Sequence, residues 1–209
     1  MSIDKAVLTE LPAEELESIA PRVRDGDILL CAADDPFSRL IGWSTSSPWS
    51  HVAIACRWPE QDRMMAFECV ERIGVHAVTL SRFISETSSG QRPYPGKIVL
   101  ARHDDLAARP DLAADGGLKP MMDFAIDHMG DRFSPGEIIK IGTRVIVGRL
   151  NRKMPKFLGA DDEFICSEYV AKCFQTLGIQ IAWDGLGFIA PCDVAEDPKV
   201  RAVARFKTR

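Results

Sequence analysis

Short blocks of apolar residues, separated by polar turns, run through the first half of the chain and predict strands. Ile28-Leu29-Leu30-Cys31 follows the turn Asp25-Gly26-Asp27 and predicts a buried strand. Two longer apolar runs, residues 51–58 and 64–70, flank the turn-forming residues 59–62 and predict an antiparallel hairpin. Further strands are predicted at residues 75–80 and 97–101.

The second half of the chain shows helical periodicity instead. Residues 167–177 give the clearest helix, because apolar side chains recur on one face and Gly178 follows the last of them. Residues 118–129 predict another helix, which Gly130 ends. Shorter helical segments are predicted at residues 12–22, 36–41 and 137–150. Strands followed by helices favour an α+β fold over an alternating βαβ sheet.

Composition limits the class of protein. The 209 residues are expected to form a single domain, residues 1–209, with 46% apolar and 27% charged positions. A net charge of −4 argues against a nucleic-acid partner. The first residues lack a basic and apolar signal segment, and no apolar run approaches the roughly 18–20 residues that span a bilayer. We therefore expect a cytoplasmic protein.

Cysteine usage points to a reducing compartment. The chain contains no CxxC pair and no finger-type spacing of Cys and His. Neither a disulfide framework nor a structural zinc site is expected, and the sequence predicts no metal or other cofactor. The six cysteines are Cys31, Cys56, Cys69, Cys166, Cys173 and Cys192.

Cys166 and His51 are the candidate reactive pair. Cys166 directly precedes the helix predicted at residues 167–177, so its sulfur would lie at the positive end of the helix dipole. The dipole contributes only about 0.3–1 kcal/mol, so a thiolate also needs an imidazole partner. His51 begins a predicted strand on which its same-face neighbours are Ala53 and Ala55, small residues that leave room for another element. Purely structural roles for both residues remain alternatives.

The other histidines are weaker candidates from their positions in the sequence. His76 lies at a strand edge without an obvious partner, His103 lies in a predicted loop, and His128 lies at a helix C-terminus.

Glu68 interrupts the apolar run 64–70, where an unpaired carboxylate would be costly. If residues 59–62 alone form the loop, His51 opposes Val70 and Glu68 is a diagonal neighbour of the imidazole. A loop one residue longer would place Glu71 opposite His51 instead. Whichever glutamate is the neighbour would hold the imidazole tautomer and stabilise the imidazolium.

These residues lie within a series of motifs that resembles a known family. The first half contains, in order, Gly26-Asp27-Ile28-Leu29-Leu30, Trp49-Ser50-His51-Val52-Ala53-Ile54 and Phe67-Glu68-Cys69-Val70. The second half contains Gly130-Asp131-Arg132-Phe133, Phe164-Ile165-Cys166-Ser167-Glu168-Tyr169-Val170 and Ala190-Pro191-Cys192-Asp193-Val194. Their order resembles the permuted papain-like amidases, the YiiX-like branch of the NlpC-type cysteine peptidase superfamily. Papain has its cysteine before its histidine, and the reversed order here is what circular permutation requires.

The resemblance implies a papain-like, circularly permuted NlpC-type α+β fold, with an antiparallel sheet packed against helices. It also implies that Cys166 is the nucleophile, that His51 is the base and then the acid, and that Glu68 orients His51. The implied activity is hydrolysis of amide bonds, for example in cell-wall peptides, through a thioester. The family usually has a tyrosine near Arg132 or Phe133, which this chain lacks, and no side chain for an oxyanion hole matches a family motif.

Two alternative functions stay open at the level of sequence. One is a lipid acyl hydrolase or acyltransferase with the same triad, and the other is a catalytically silent binding module. Residues 138–160 bear on the first, because they carry six basic residues and no acid: Lys140, Arg144, Arg149, Arg152, Lys153 and Lys156. Such a segment is typical of a helix on an anionic membrane surface, although a solvated helix face is favoured. The expected partner is therefore a small peptide or an acylated small molecule, with peripheral membrane contact less favoured and the oligomeric state open.

Overall fold

The computed structural model describes residues 3, 5–34, 36–71, 73–85, 95–113, 116–133, 163–183 and 189–208. The strands are β1 (Ala13–Glu14), β2 (Asp27–Ala33), β3 (His51–Trp58), β4 (Arg63–Val70), β5 (Gly74–Thr79), β6 (Gly96–His103), β7 (Arg132–Phe133), β8 (Glu163–Phe164) and β9 (Val200–Phe206). The α-helices are α1 (Lys5–Glu10), α2 (Leu16–Ile19), α3 (Pro36–Thr45), α4 (Leu80–Ser85), α5 (Asp104–Ala108), α6 (Pro110–Ala113), α7 (Lys119–Asp127), α8 (Cys166–Gln175) and α9 (Pro191–Glu196). Single 3₁₀ turns cover Ala20–Arg22 and Pro59–Gln61.

Within the described residues, seven strands form one mixed sheet in the order β1-β9-β6-β2-β3-β4-β5. All neighbours are antiparallel except β1 and β9, which run parallel. The molecule is thus an α+β protein, as the sequence predicts. Its sheet is mixed, however, whereas the resemblance implies an antiparallel sheet. The parallel pair arises because Glu14 bonds through its backbone to Lys207, beyond the end of β9.

The central strands are covered on both faces, which explains their continuous apolar runs. On one face, Ile28 and Leu30 of β2 pack in a cluster with Tyr169 and Phe174 of α8. On the other face, Leu29 and Cys31 of β2 pack with α4 residues such as Phe83. The sheet therefore separates two hydrophobic layers, one beneath α8 and one beneath α4.

The hairpin of β3 and β4 has the register that the shorter loop predicts. Trp58 pairs with Arg63 across residues 59–62, and the ladder continues to Ile54 opposite Phe67. Beyond that pair, β3 continues beside β2 to His51 opposite Cys31, while β4 continues beside β5 to Val70 opposite Gly74. The two strands separate there into a fork, and α8 contacts both of them.

Two other predictions meet different outcomes. Residues 12–22 do not form a continuous helix, since Ala13 and Glu14 pair with β9 and only Leu16–Ile19 is α-helical before the 3₁₀ turn at Ala20–Arg22. Here a backbone ladder with a distant strand overrides local helix propensity.

The helix predicted at residues 137–150 and the basic positions of residues 138–160 lie outside the described residues. Among the described helices, none has the length and apolar character to cross a membrane.

Candidate active site

Cys166 is the first residue of α8, as the sequence predicts for a thiol at a helix N-terminus. The start of the helix is held by two contacts of buried side chains. The Ser167 hydroxyl donates to the Ile189 carbonyl at 2.7 Å, and the Tyr169 hydroxyl donates to the Ala125 carbonyl at 3.0 Å. Because these bonds connect α8 to two other segments, the sulfur has a fixed position at the positive end of the helix.

His51 occupies the fork between β3 and β4. Its Nε2 lies 2.6 Å from a carboxylate oxygen of Glu68, and its ring lies 6.4 Å from the ring of Phe83. Its same-face neighbours Ala53 and Ala55 belong to the layer beneath α4, so the small residues admit α4. Cys166, by contrast, belongs to the layer beneath α8. The fork is the place where a side chain from one layer reaches a side chain from the other.

Cys166 and His51 are hydrogen-bonded to each other. Glu68 occupies Nε2 of the imidazole, so Nδ1 is the nitrogen that remains for the thiol. Burial alone would lower the pKa of His51, but the charge of the Cys166 thiolate, the hydrogen bond to its sulfur and the Glu68 carboxylate raise it to about 10. Burial alone would raise the pKa of Cys166, but the His51 charge and hydrogen bonds from His51, Val52 and Ser167 lower it. Both shifts favour a thiolate–imidazolium pair.

Glu68 is the glutamate that contacts the imidazole, and Glu71 is not. Glu71 is exposed in the turn after β4, because the loop of residues 59–62 sets the register of the hairpin. Burial alone would raise the pKa of Glu68, but hydrogen bonds from His51 and His76 hold it at about 2. The carboxylate is thus ionised throughout the physiological range.

His76 is the site residue that sequence reasoning missed. It pairs directly with Glu68 across β4 and β5, and its Nε2 lies 3.3 Å from the second carboxylate oxygen. The sequence predicts that His76 lies near the end of a strand, but its partner depends on where the turn between β4 and β5 falls. The signal available in the sequence was the pairing of two polar residues in adjacent apolar strands, on the same face.

The thiol of Cys166 differs electrostatically from three other cysteines. Burial raises the pKa of Cys56 to about 12, and it also raises the pKa values of Cys69 and Cys173. All six cysteines are free thiols. A thiol without a cationic neighbour stays protonated when it is buried, so these three are poor nucleophiles.

The remaining histidines lie elsewhere. His103 is fully buried and accepts a hydrogen bond from the backbone N–H of Asp105 at the start of α5. His128 follows α7, where its ring stacks on Phe124 with 4.0 Å between ring centroids.

Comparison with known proteins identifies a shared fold. No family model matches the sequence, and no curated protein matches it either. The crystal structure of the metalloprotein YiiX from Escherichia coli O157:H7 matches with a TM-score of 0.60 at 18% sequence identity. The match covers 87% of this chain and 96% of YiiX. At this level of identity the similarity shows that the two chains have the same fold.

Proposed function

We propose that this protein is a cysteine-dependent hydrolase of amide bonds that acts through a thioester. The observation that carries the proposal is the hydrogen-bonded pair of Cys166 and His51, in which the pKa of the thiol is lowered and that of the imidazole is raised. Thiolates are the reactive form of cysteine, and an imidazolium beside one can protonate a leaving group. Glu68 completes the arrangement by fixing the imidazole through Nε2.

The chemistry follows from the resting ion pair. The Cys166 thiolate attacks the carbonyl carbon, forming a C–S bond, and His51 transfers its Nδ1 proton to the leaving amine as the C–N bond breaks. Neutral His51 then takes a proton from water, and the resulting hydroxide attacks the thioester. Cleavage of the C–S bond releases a carboxylic acid, and the Cys166–His51 ion pair forms again.

Backbone N–H groups supply the stabilisation of the oxyanion in this proposal. Val52 and Ser167 bond through their backbones to the Cys166 sulfur, and only an N–H group can donate to a thiolate. The N–H of Cys166 itself belongs to the first turn of α8, where amides have no partner within the helix. Donors of this kind around the sulfur suit the negative oxygen of a tetrahedral intermediate.

No step of this proposed reaction uses a metal ion, although the structural neighbour YiiX is a metalloprotein. Among the described residues, no group of three or more His, Cys, Asp or Glu side chains is arranged to hold a metal ion. The side chains of the candidate site that could donate to a metal ion are instead paired with one another. One Glu68 oxygen lies 2.6 Å from a nitrogen of His51, and the other lies 3.3 Å from a nitrogen of His76. Metal ligands must direct their lone pairs at one common point, so this donor set does not fit a metal centre.

The order of the two reactive residues supports a permuted papain-like architecture for this proposal. His51 begins a strand early in the chain and Cys166 begins a helix late in it, yet the two are in contact. The substrate class proposed is a small peptide, and an acylated small molecule is the rival that the same thioester chemistry would accept.

A thiol-reactive probe tests the proposal. A limiting amount of an iodoacetamide probe at pH 7 should label Cys166 before the other five cysteines, as located by peptide mass spectrometry. Cys166→Ala should abolish both this labelling and the turnover of a panel of dipeptide amides. Turnover of acyl thioesters or phospholipids alone would favour the acyl-transfer rival. Equal labelling of all six thiols, with no turnover, would leave a binding module.

A further inference from the structure

His76 lies beside the three predicted site residues and contacts one of them, Glu68. It faces Glu68 directly across β4 and β5. Its Nε2 approaches the Glu68 oxygen that His51 does not use, at 3.3 Å, while the other oxygen lies 2.6 Å from His51. One carboxylate therefore connects two imidazole rings.

We propose that His76 is a positioning residue of this site, which holds Glu68 in its orientation and reduces the negative charge that Glu68 presents to His51. The inference rests on the proposed function, in which Glu68 orients His51. It adds a residue that acts through its contact with Glu68 and through its own positive charge.

The hydrogen bonds of the two rings support this role. At His76, Nε2 faces a carboxylate and Nδ1 lies 3.4 Å from the Gly74 carbonyl, so both ring nitrogens face acceptors. A neutral imidazole has a single N–H, and only the imidazolium donates from both nitrogens. The hydrogen bond to Glu68 is accordingly the main cause that raises the pKa of His76, against the opposing effect of burial.

The charges around His76 come from several elements. Glu68 on β4 and His51 on β3 act on it most directly. Of the other elements packed against β5, α4 carries Arg82, and β7 carries Arg132 just after Asp131. Glu68 is the carboxylate in contact, so His76 and Glu68 form the pair that decides how much negative charge His51 experiences.

A direct consequence concerns the thiol. A cation at His76 partly neutralises Glu68, and its positive charge also favours the Cys166 thiolate. Removing that charge should raise the pH at which Cys166 ionises, by roughly half a unit at the effective dielectric of a partly buried site. A residue that only packed against its neighbours would alter stability without moving this midpoint.

The test uses alkylation of Cys166 as a function of pH, followed by mass spectrometry, because it needs no substrate. His76→Gln keeps a donor in place of Nε2 but removes the charge, and His76→Ala removes both. We expect both variants to shift the midpoint of the profile upward by roughly half a pH unit, and only His76→Ala to reduce the plateau rate as well. His128→Gln is the matched control, since His128 follows α7 and stacks on Phe124, and its profile should overlay the wild type.

Nuclear magnetic resonance of ¹⁵N-labelled histidines separates this inference from the proposed function. The His51 ring nitrogens should report the imidazolium in the wild type, and their shifts should change in His76→Ala. Folded His76 variants that leave both the His51 resonances and the alkylation profile unchanged would overturn the role of His76. An ordinary thiol midpoint in the wild type, with His51 resonances that still respond to His76, would instead overturn the proposed function and keep the positioning role.

Discussion

Glu68 shows how a buried carboxylate can be tolerated inside an apolar strand. Its side chain is only 6% exposed, yet each of its oxygens has an imidazole nitrogen as a partner. Burial of an unpaired carboxylate would cost several kcal/mol, whereas a paired and hydrogen-bonded one keeps its charge. The one carboxylate within this apolar run therefore connects the two histidines.

Replacement of Glu68 should affect catalysis while the fold is retained. Glu68→Gln keeps the shape of the side chain but loses the charge that favours the imidazolium and fixes its tautomer. General acid–base catalysis contributes roughly 10²–10⁴-fold, so we expect a loss of about 10- to 100-fold in kcat/KM. Steady-state kinetics on the best amide substrate would measure it.

Glu71→Gln is the matched control for that experiment. Glu71 lies three positions further along, exposed in the turn, so its replacement should leave kcat/KM within error. A larger loss in Glu71→Gln than in Glu68→Gln would contradict the assignment of the orienting residue.

At the scale of elements, the site depends on a continuous path from β5 to α8. Val75 on β5 donates to the Asp131 carbonyl, and Gly130 donates back to Val75. Asp131 leads into β7, which pairs in parallel with β8, and β8 leads directly to Ile165 and Cys166. The strand that carries His76 therefore also supports the segment that positions the nucleophile.

Gly74 is the position where this path is most sensitive to substitution. It has a φ of +84°, and a Cβ added there would overlap the Asp131 carbonyl oxygen. Gly178, with a φ of +71°, has open space around an added Cβ. Gly178→Ala should cost about 1–2 kcal/mol, the conformational penalty alone, and Gly74→Ala roughly 3–5 kcal/mol.

Urea denaturation of the two glycine variants would measure this difference. Gly74→Ala should also slow alkylation of Cys166, because the displaced Asp131 segment moves β7 and β8. Equal destabilisation by both substitutions would show that the close approach of Asp131 to Gly74 has little energetic weight.

The elements that the sequence predicted well are those whose boundaries are local. The strand at residues 51–58, the helix ended by Gly178 and the loop at residues 59–62 follow from periodicity and turn chemistry. The sequence limits the neighbour of His51 to Glu68 or Glu71, and the register set by the four-residue loop decides for Glu68. The β1 segment could not be predicted, since Ala13 and Glu14 pair with a strand from the far end of the chain. The contact of His76 with Glu68 could not be predicted for the same reason, because pairing between strands determines it.

At the scale of the whole molecule, the site joins two hydrophobic layers on opposite faces of the sheet. Cys166 belongs to the layer beneath α8, while His51 contacts Phe83 in the layer beneath α4. The sheet brings them together only where β3 and β4 separate. Global folding is thus required to form the pair, which explains why the sequence predicts the participants better than their contact.

The free energy of unfolding at acid pH should depend on the ion pairs that Glu68 forms with His51 and His76. The pKa of Glu68 is lowered from its ordinary 4.5 to about 2, so its contribution is complete above about pH 4.5 and is lost as pH falls through 2. His51 and His76 are protonated in both the folded and the unfolded chain in this range, so they add no pH dependence. The difference in free energy of unfolding between wild type and Glu68→Gln should therefore shrink by about 3 kcal/mol between pH 5 and pH 2.

Urea denaturation at several pH values would follow this difference. Glu71→Gln again serves as the control, and its difference from wild type should stay flat. A constant gap between wild type and Glu68→Gln across the same range would show that the carboxylate is not ion-paired in solution.

Among the residues that the structure describes, β5 is the last strand of the sheet, with β4 on one side and the Asp131 segment against Val75 on the other. Strands with a single full neighbour open more readily under thermal motion than strands held on both sides. Heating should consequently detach β5 early, which removes the His76 partner of Glu68 and also the support that Val75 gives to the segment leading to Cys166. Warming would therefore affect the thiol through β5, whereas acid affects it through protonation of Glu68.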